Sequence, residues 1–400
     1  MPINQRNAGF ISATYQPLQV ANAPTIGAAT GGDASASVAF TAPTNVGGSA
    51  ISAYYAVSNP SRITVSGASS PINVTGLTNG TAYTFTVWAL NTYGPSPFSG
   101  ASGSVTPDQL RRGVFGGGID NFASAVNVMS YINIASTGNA IDFGDLTVTS
   151  LLLGSCSSST RGLFGGGNDG GTEINVINYI TILTTGNAID FGDLTVARQG
   201  LVACSSSTRG VFAGGLGAGF FNIIDYVTIA TTGNATDFGD LIGAARYYYE
   251  GACASTTRGL FAGGYGPTAA INYITIATTG DATSFGDLTL ARTGLAGCSS
   301  STRGIFGGGS DSGSVLSNII DYVTIATTGN ATDFGDLTMA RQYPGACSSP
   351  TRGVFGGGAT YTNIIDYVTI ASTGNAVDFG DLTVVVYGLA ACSNGHGGLS

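Results

Sequence analysis

The chain of 400 residues has no lysine; all 13 of its basic residues are arginine. Charge of either sign is scarce, at 9% of residues against about 25% in an ordinary soluble chain. The balance is acidic, with a formal net charge of −9. Without basic runs the chain is a poor nucleic-acid partner, because neutralising a phosphate backbone takes clustered cations. No apolar run approaches ~18 residues, so no membrane span is expected. The opening MPINQRNAGF lacks the apolar core of a secretory signal peptide, so assembly in a cytoplasm is expected. Histidine occurs once, as His396 in a Gly-rich tail, where a solvated side chain is expected. Ser/His/Asp, CxxC and HExxH arrangements are all missing. No catalytic residue, cofactor or metal site is therefore expected.

Cysteine is present but evenly spread. Cys156, Cys204, Cys253, Cys298, Cys347 and Cys392 each precede a Ser-rich turn. Equivalent positions in successive repeats lie too far apart for a bridge, so free, buried cysteines are expected.

The repeats themselves begin at Arg112, Arg161, Arg209, Arg258, Arg303 and Arg352, a period of 45 to 49 residues. Arg209–Thr257 is the type example, and each unit divides into four short strands. These are GACSSS-like, RGVFGGG-like, NIIDYVTIAT-like and ATDFGDL-like stretches. The third is almost continuously apolar and β-branched, as for a strand covered on both faces. A strand-rich period of this length points to a β-propeller. The first repeat starts at its second strand and the last ends on a first strand. Ala390–Ser393 is therefore expected to pair with Val114–Gly117, closing one sheet from both chain ends and removing an exposed edge.

Ahead of the repeats, residues 24–107 alternate apolar and polar positions between Gly, Pro, Asn and Ser turns. Residues 1–23 lack periodicity and are expected to be an attachment arm. Recurring acids (Asp142/Asp145, Asp190/Asp193, Asp237/Asp240, Asp333/Asp336, Asp378/Asp381) are expected to serve turns and strand ends. Calcium there is a weaker alternative. The arginines that open each repeat are expected to form salt bridges to those acids, an anion-binding or docking ring being the alternative.

Two sets of connections behave differently. Those joining strands one to two and three to four are nearly uniform. Those joining two to three, and four to the next repeat, vary. The longest of the latter holds Arg246, Tyr247, Tyr248, Tyr249 and Glu250. Phe220, Phe221, Tyr265 and Tyr343, together with Phe122 and Tyr361, fall in the same variable set. Aromatic rings beside short polar groups suit a glycan or protein partner. Arg246, Tyr247, Tyr248, Tyr249, Phe220, Phe221, Tyr265 and Tyr343 are thus the expected binding residues.

Particular motifs carry family resemblances. Phe40-Thr41-Ala42-Pro43, Tyr54 and Tyr55, and Gly76–Thr81 followed by Tyr83, Phe85, Val87 and Ala89 resemble a fibronectin type III domain. That likeness implies a seven-stranded sandwich with Tyr83 bonded back to the loop before it. The repeat resembles kelch. Its Gly pairs (Gly117-Gly118 to Gly357-Gly358) and its Tyr (Tyr131, Tyr179, Tyr226, Tyr273, Tyr322, Tyr367) match that family. Arg198, Arg246, Arg292 and Arg341 match its Arg, whereas Ser150 and Val386 break it. Phe143, Phe191, Phe238, Phe285, Phe334 and Phe379 replace its Trp. The expected architecture is all-β: an arm (1–23), a fibronectin type III-like sandwich (24–107) and a six-bladed kelch-like propeller (108–400).

The combination resembles virion proteins of tailed, especially marine, bacteriophages. It implies a non-enzymatic structural protein on the particle surface, as fibre, spike or decoration, with host-surface or glycan adhesion. The arm would meet other virion proteins in an oligomeric assembly. A bacterial cell-surface or secreted adhesin is the alternative, and a carbohydrate-active enzyme a third, disfavoured reading.

Overall fold

The structure is a computed structural model describing residues 18–242, 250–359 and 361–399. The chain is all-β, its sheets antiparallel, and it divides into two compact units, Met1–Leu110 and Arg111–Ser400.

In the first unit, strands Thr25–Gly32, Ser35–Thr41 and Ile72–Thr75 form one sheet. Strands Ile51–Asn59, Thr64–Gly67, Thr84–Asn91 and Gly94–Pro95 form the other. Alternation decides what lies between them. Val38, Ala56, Val74, Phe85, Val87 and Ala89 are buried in one shared core, where Phe40 packs on Tyr54 with ring centroids 4.8 Å apart. The Tyr83 hydroxyl accepts a hydrogen bond from the Thr78 amide at 3.1 Å, which ties the loop to the strand. Of the expected arm, residues 1–17 lie outside the described residues. Gln19 and Asn22 donate their amides to the carbonyls of Gly47 and Asn45.

The second unit contains six consecutive four-stranded arrays, numbered here by repeat. Array 2 is the pattern: Gly154–Ser157, Arg161–Gly165, Val176–Thr181 and Ile189–Asp193, each paired with the next. Arrays 4 and 5 share one long strand, Thr283–Ser299. Array 1 is assembled from both ends of the unit. Ala390–Ser393 pairs with Arg112–Gly116, with Cys392 opposite Val114 and Ser393 opposite Gly113. The register is displaced by one residue from the expected pairing with Val114–Gly117. The first strands touch in cyclic order, array 1 to 2 and onward to 6, which returns to 1.

Each array is buried between neighbours, which explains why the third strand is apolar on both faces. Its Tyr meets the Phe of the fourth strand edge-on in every array, as with Tyr226 and Phe238 at 6.0 Å. The cysteines are free and buried. Each thiol faces a glycine of the next array. A Cβ built on Gly210 would lie 2.7 Å from Cys156 Sγ, and one on Gly113 would lie 2.5 Å from Cys347 Sγ, across the ring closure. Only glycine lets a sulfur-bearing neighbour approach so closely.

Candidate binding face

One side of the second unit is fastened by its backbone. The Gly186 amide in the turn of array 2 donates to Phe143 O of array 1 at 2.8 Å, and the Asp145 amide donates to Asn187 Oδ1 at 3.1 Å. The same pair recurs around the ring and ends with Gly138 on Phe379 O and Asp381 on Asn139 Oδ1. The recurring acids thus serve these junctions through their amides and carbonyls.

The expected salt bridges from the repeat-opening arginines are absent among the described residues. Each guanidinium instead lies over the Tyr of its own array, 4.1 to 4.7 Å from the ring centroid. Each donates to a carbonyl of the next array, for example Arg161 to Ile229 O at 2.9 Å and Arg352 to Ile134 O at 3.1 Å. The physical reason is geometric. Tyr presents a ring face beside the arginine's own strand, and a main-chain oxygen is fixed within reach, whereas the acids stand on the outermost strand. The result is six inter-array staples.

Three ion pairs do occur among the described residues, elsewhere. Arg198–Asp225 at 2.9 Å, Arg292–Asp321 at 2.5 Å and Arg341–Asp366 at 2.8 Å are completely buried. Thr195 Oγ1 also donates to Asp225, at 2.7 Å. Burial pulls each of these arginines below its ordinary pKa, against the nearby carboxylate. The repeats contain the signal. Arg precedes the first strand in arrays 3, 5 and 6, where the third strand has Asp; in array 4 the sequence has Arg246 with Asn272. Ser150 stands with Asn178 and Val386 with Ser130.

At the same end as the fastened turns, serine hydroxyls link the first strands. Ser205 Oγ donates to Ser157 O, Ser348 Oγ to Ser299 O and Ser393 Oγ to Ser348 O, at 2.6 to 2.8 Å. Ala254 interrupts the series, and the C-terminal segment folds against that place. A Cβ on Gly398 would collide with Ser205 O, and one on Gly397 would lie 2.6 Å from Ala254 O. His396 is consequently not the solvated tail residue expected from its Gly-rich surroundings. Its Nε2 lies 3.0 Å from Ser157 O, and its Nδ1 accepts from the Gly398 amide at 3.1 Å. These bonds assign the neutral Nε2–H tautomer. Burial lowers its pKa to about 4, with the Ser157 bond opposing the shift. The glycines that make the tail look flexible are what lets it pack.

The other side bears the variable connections. Phe220 (40% exposed) and Tyr265 (50% exposed) belong to arrays 3 and 4, and their rings stack 5.5 Å apart. Phe221 is half-buried beneath its own loop, against Gly217. Tyr343 belongs to a second group with Tyr387 and Tyr361. Tyr343 and Tyr387 centroids lie 6.3 Å apart, and Tyr361 meets Tyr387 edge-on at 5.0 Å. Phe122 is 82% exposed. Arg246, Tyr247, Tyr248 and Tyr249 lie outside the described residues. Of the four expected binding residues that are described, Phe220 and Tyr265 thus stand together, Tyr343 belongs to a separate aromatic group, and Phe221 belongs to neither.

On this side the six first strands surround a cavity of about 120 Å³, with Tyr343 of the second group in its lining. Its rim repeats one backbone turn. Gly200, Gly294 and Gly388 have φ of 67, 69 and 65°, and Leu152 and Tyr343 adopt the same left-handed conformation at 56 and 57°. Among the described residues that line the cavity, Glu250 is the single charged side chain.

Comparison with protein-family models finds no family that matches the chain, and comparison with curated proteins finds no match.

Proposed function

We propose that this chain is a non-enzymatic binding and building protein, displayed on the surface of a tailed-bacteriophage particle. In this reading the second unit is a six-bladed kelch-like β-propeller whose variable side meets a host-surface glycan or protein. The first unit is a fibronectin type III-like sandwich that spaces or attaches it, and residues 1–23 attach it to other virion proteins.

The observation that carries the binding assignment is the Phe220–Tyr265 stack. It joins two arrays, is half exposed on both members, and lies on connections that vary while the opposite side repeats. Stacked rings offer apolar faces to a sugar at little entropic cost, because two χ angles fix each of them. The cyclic contact order and the closure of array 1 by both chain ends support the propeller reading. The two sheets of the first unit and the Tyr83–Thr78 bond support the sandwich reading. Scarce charge and no lysine suit a surface that recognises neutral hydroxyl-rich partners.

Mass spectrometry of purified phage particles tests the assignment. The chain is expected among the structural proteins at stoichiometric abundance. Its recovery only from bacterial envelopes would make it a bacterial adhesin instead. A glycan array probed with the purified chain then tests adhesion.

A further inference from the structure

One position inside the ring breaks its own repeat. Three residues before each cysteine, arrays 2, 3, 5 and 1 have Leu153, Leu201, Leu295 and Leu389, and array 6 has Pro344. The leucines are buried. Array 4 has Glu250 there, 4% exposed, and neither carboxylate oxygen has a hydrogen-bond partner among the described residues. A buried, unsatisfied carboxylate is costly, and five equivalent positions show that an apolar residue fits.

The glutamate lies at the cavity described above, together with Leu152, Leu201, Leu295, Leu389 and Tyr343. A cation is the missing complement to this arrangement. Guanidinium fits it better than ammonium or a metal ion. It is planar and weakly hydrated, so it tolerates apolar walls, and it pairs with a carboxylate through two parallel bonds. An aromatic ring at the rim adds attraction to its face. A metal ion would need several hard ligands, and no cluster of three His, Cys, Asp or Glu stands among the described residues. The volume, several times what one water molecule needs, admits a guanidinium head.

We propose that this cavity is a pocket for an arginine side chain presented by a partner protein, with Glu250 as its counter-ion. Burial alone holds the Glu250 carboxyl well above the usual carboxylate range, so without a cation beside it the group keeps its proton, which a bound guanidinium would displace. The inference rests on the reading that this side of the second unit meets a partner. The two are separable, because the aromatic stack and the cavity are distinct features with distinct variants.

The test uses the full chain and two small probes at equal ionic strength, N-acetyl-arginine amide and its uncharged analogue N-acetyl-citrulline amide. At millimolar concentrations the arginine probe is expected to raise Tm by several degrees and the citrulline probe to leave it unchanged. Glu250→Gln should abolish the response while remaining folded. Glu250→Leu, which restores the residue of four other arrays, should raise the unliganded Tm. An equal arginine response in Glu250→Gln would overturn the proposal. So would a lower Tm in Glu250→Leu, which would make the carboxylate an internal counter-ion, with Arg246 the nearest arginine in sequence. Loss of glycan binding on replacing Phe220 and Tyr265, with the arginine response intact, would separate the two readings.

Discussion

The two sides of the second unit are built from the same repeat and treat it in opposite ways. On the fastened side, six arginines stack on six tyrosines and six glycine amides dock on the preceding array. Each element repeats because its partner is backbone or an adjacent ring of the same array. On the variable side the connections differ in length, and their aromatic residues gather into two unlike groups around a cavity with one acid. The difference teaches how a repeat can divide its labour. Uniformity persists where each array must fit the next, and variation is admitted where no neighbouring array makes a demand.

The comparison can be broken first at the closure. Deleting residues 385–400 removes the first strand of array 1, the Asn394 carbonyl that accepts from Arg111, and the tail against Ser205. An opened ring leaves unpaired edges and uncovered cores, so cooperative unfolding is expected to disappear. A melt at the wild-type temperature would show that the ring does not depend on its closure.

The buried ion pairs come next. Asp225→Ala leaves Arg198 buried without a carboxylate and should cost about 3–5 kcal/mol in denaturant unfolding. Replacing both, Arg198→Met with Asp225→Leu, should cost much less, since neither charge then remains.

A smaller effect is expected at the sulfur contacts. Gly210→Ala places a methyl against Cys156 Sγ and should destabilise by about 1–3 kcal/mol. Cys156→Ala should relieve part of that loss, giving a measurable coupling in a double-mutant cycle.

The pH dependence follows from His396. Its folded pKa, about 4, lies below its ordinary value of 6.5. The unfolded chain therefore binds the extra proton first as pH falls. His396 accordingly favours the folded state fully above about pH 6.5, and that contribution is lost progressively down to about pH 4. The wild type should lose Tm through this window more steeply than His396→Asn, in matched thermal melts.

Smallest in stability are the exposed rings. Phe220→Ala with Tyr265→Ala loses about 0.5–1.5 kcal/mol of ring stacking beyond the limited area that these half-exposed rings bury.

Much of this architecture was legible in the chain. The period, the four-strand division and the paired ends follow from residues that recur, because each array solves the same packing problem. The closure register differs by one residue, since the run GVFGG does not say whether Gly116 or Gly117 faces Ala390. The arginine staples were hidden for a different reason. Their acceptors are carbonyls of Ile182, Ile229 and their equivalents, and a backbone oxygen leaves no side-chain signature. The buried pairs, by contrast, were readable from the joint appearance of Arg198 with Asp225, Arg292 with Asp321 and Arg341 with Asp366. His396 was misread because Gly395, Gly397 and Gly398 suggest freedom when they in fact permit close approach. At the candidate site, the aromatic set was visible in sequence. Its division into two groups, and the place of Glu250 at the cavity, required the fold.

The most direct test pairs one variant from each side on the same glycan array. Phe220→Ala with Tyr265→Ala alters the variable side, and Thr231→Ala with Thr278→Ala, in the turns between the third and fourth strands of arrays 3 and 4, alters the fastened side. With both proteins melting as folded chains, the account predicts that only the first loses the wild-type binding signal. Unchanged binding by the first, or loss confined to the second, would contradict it.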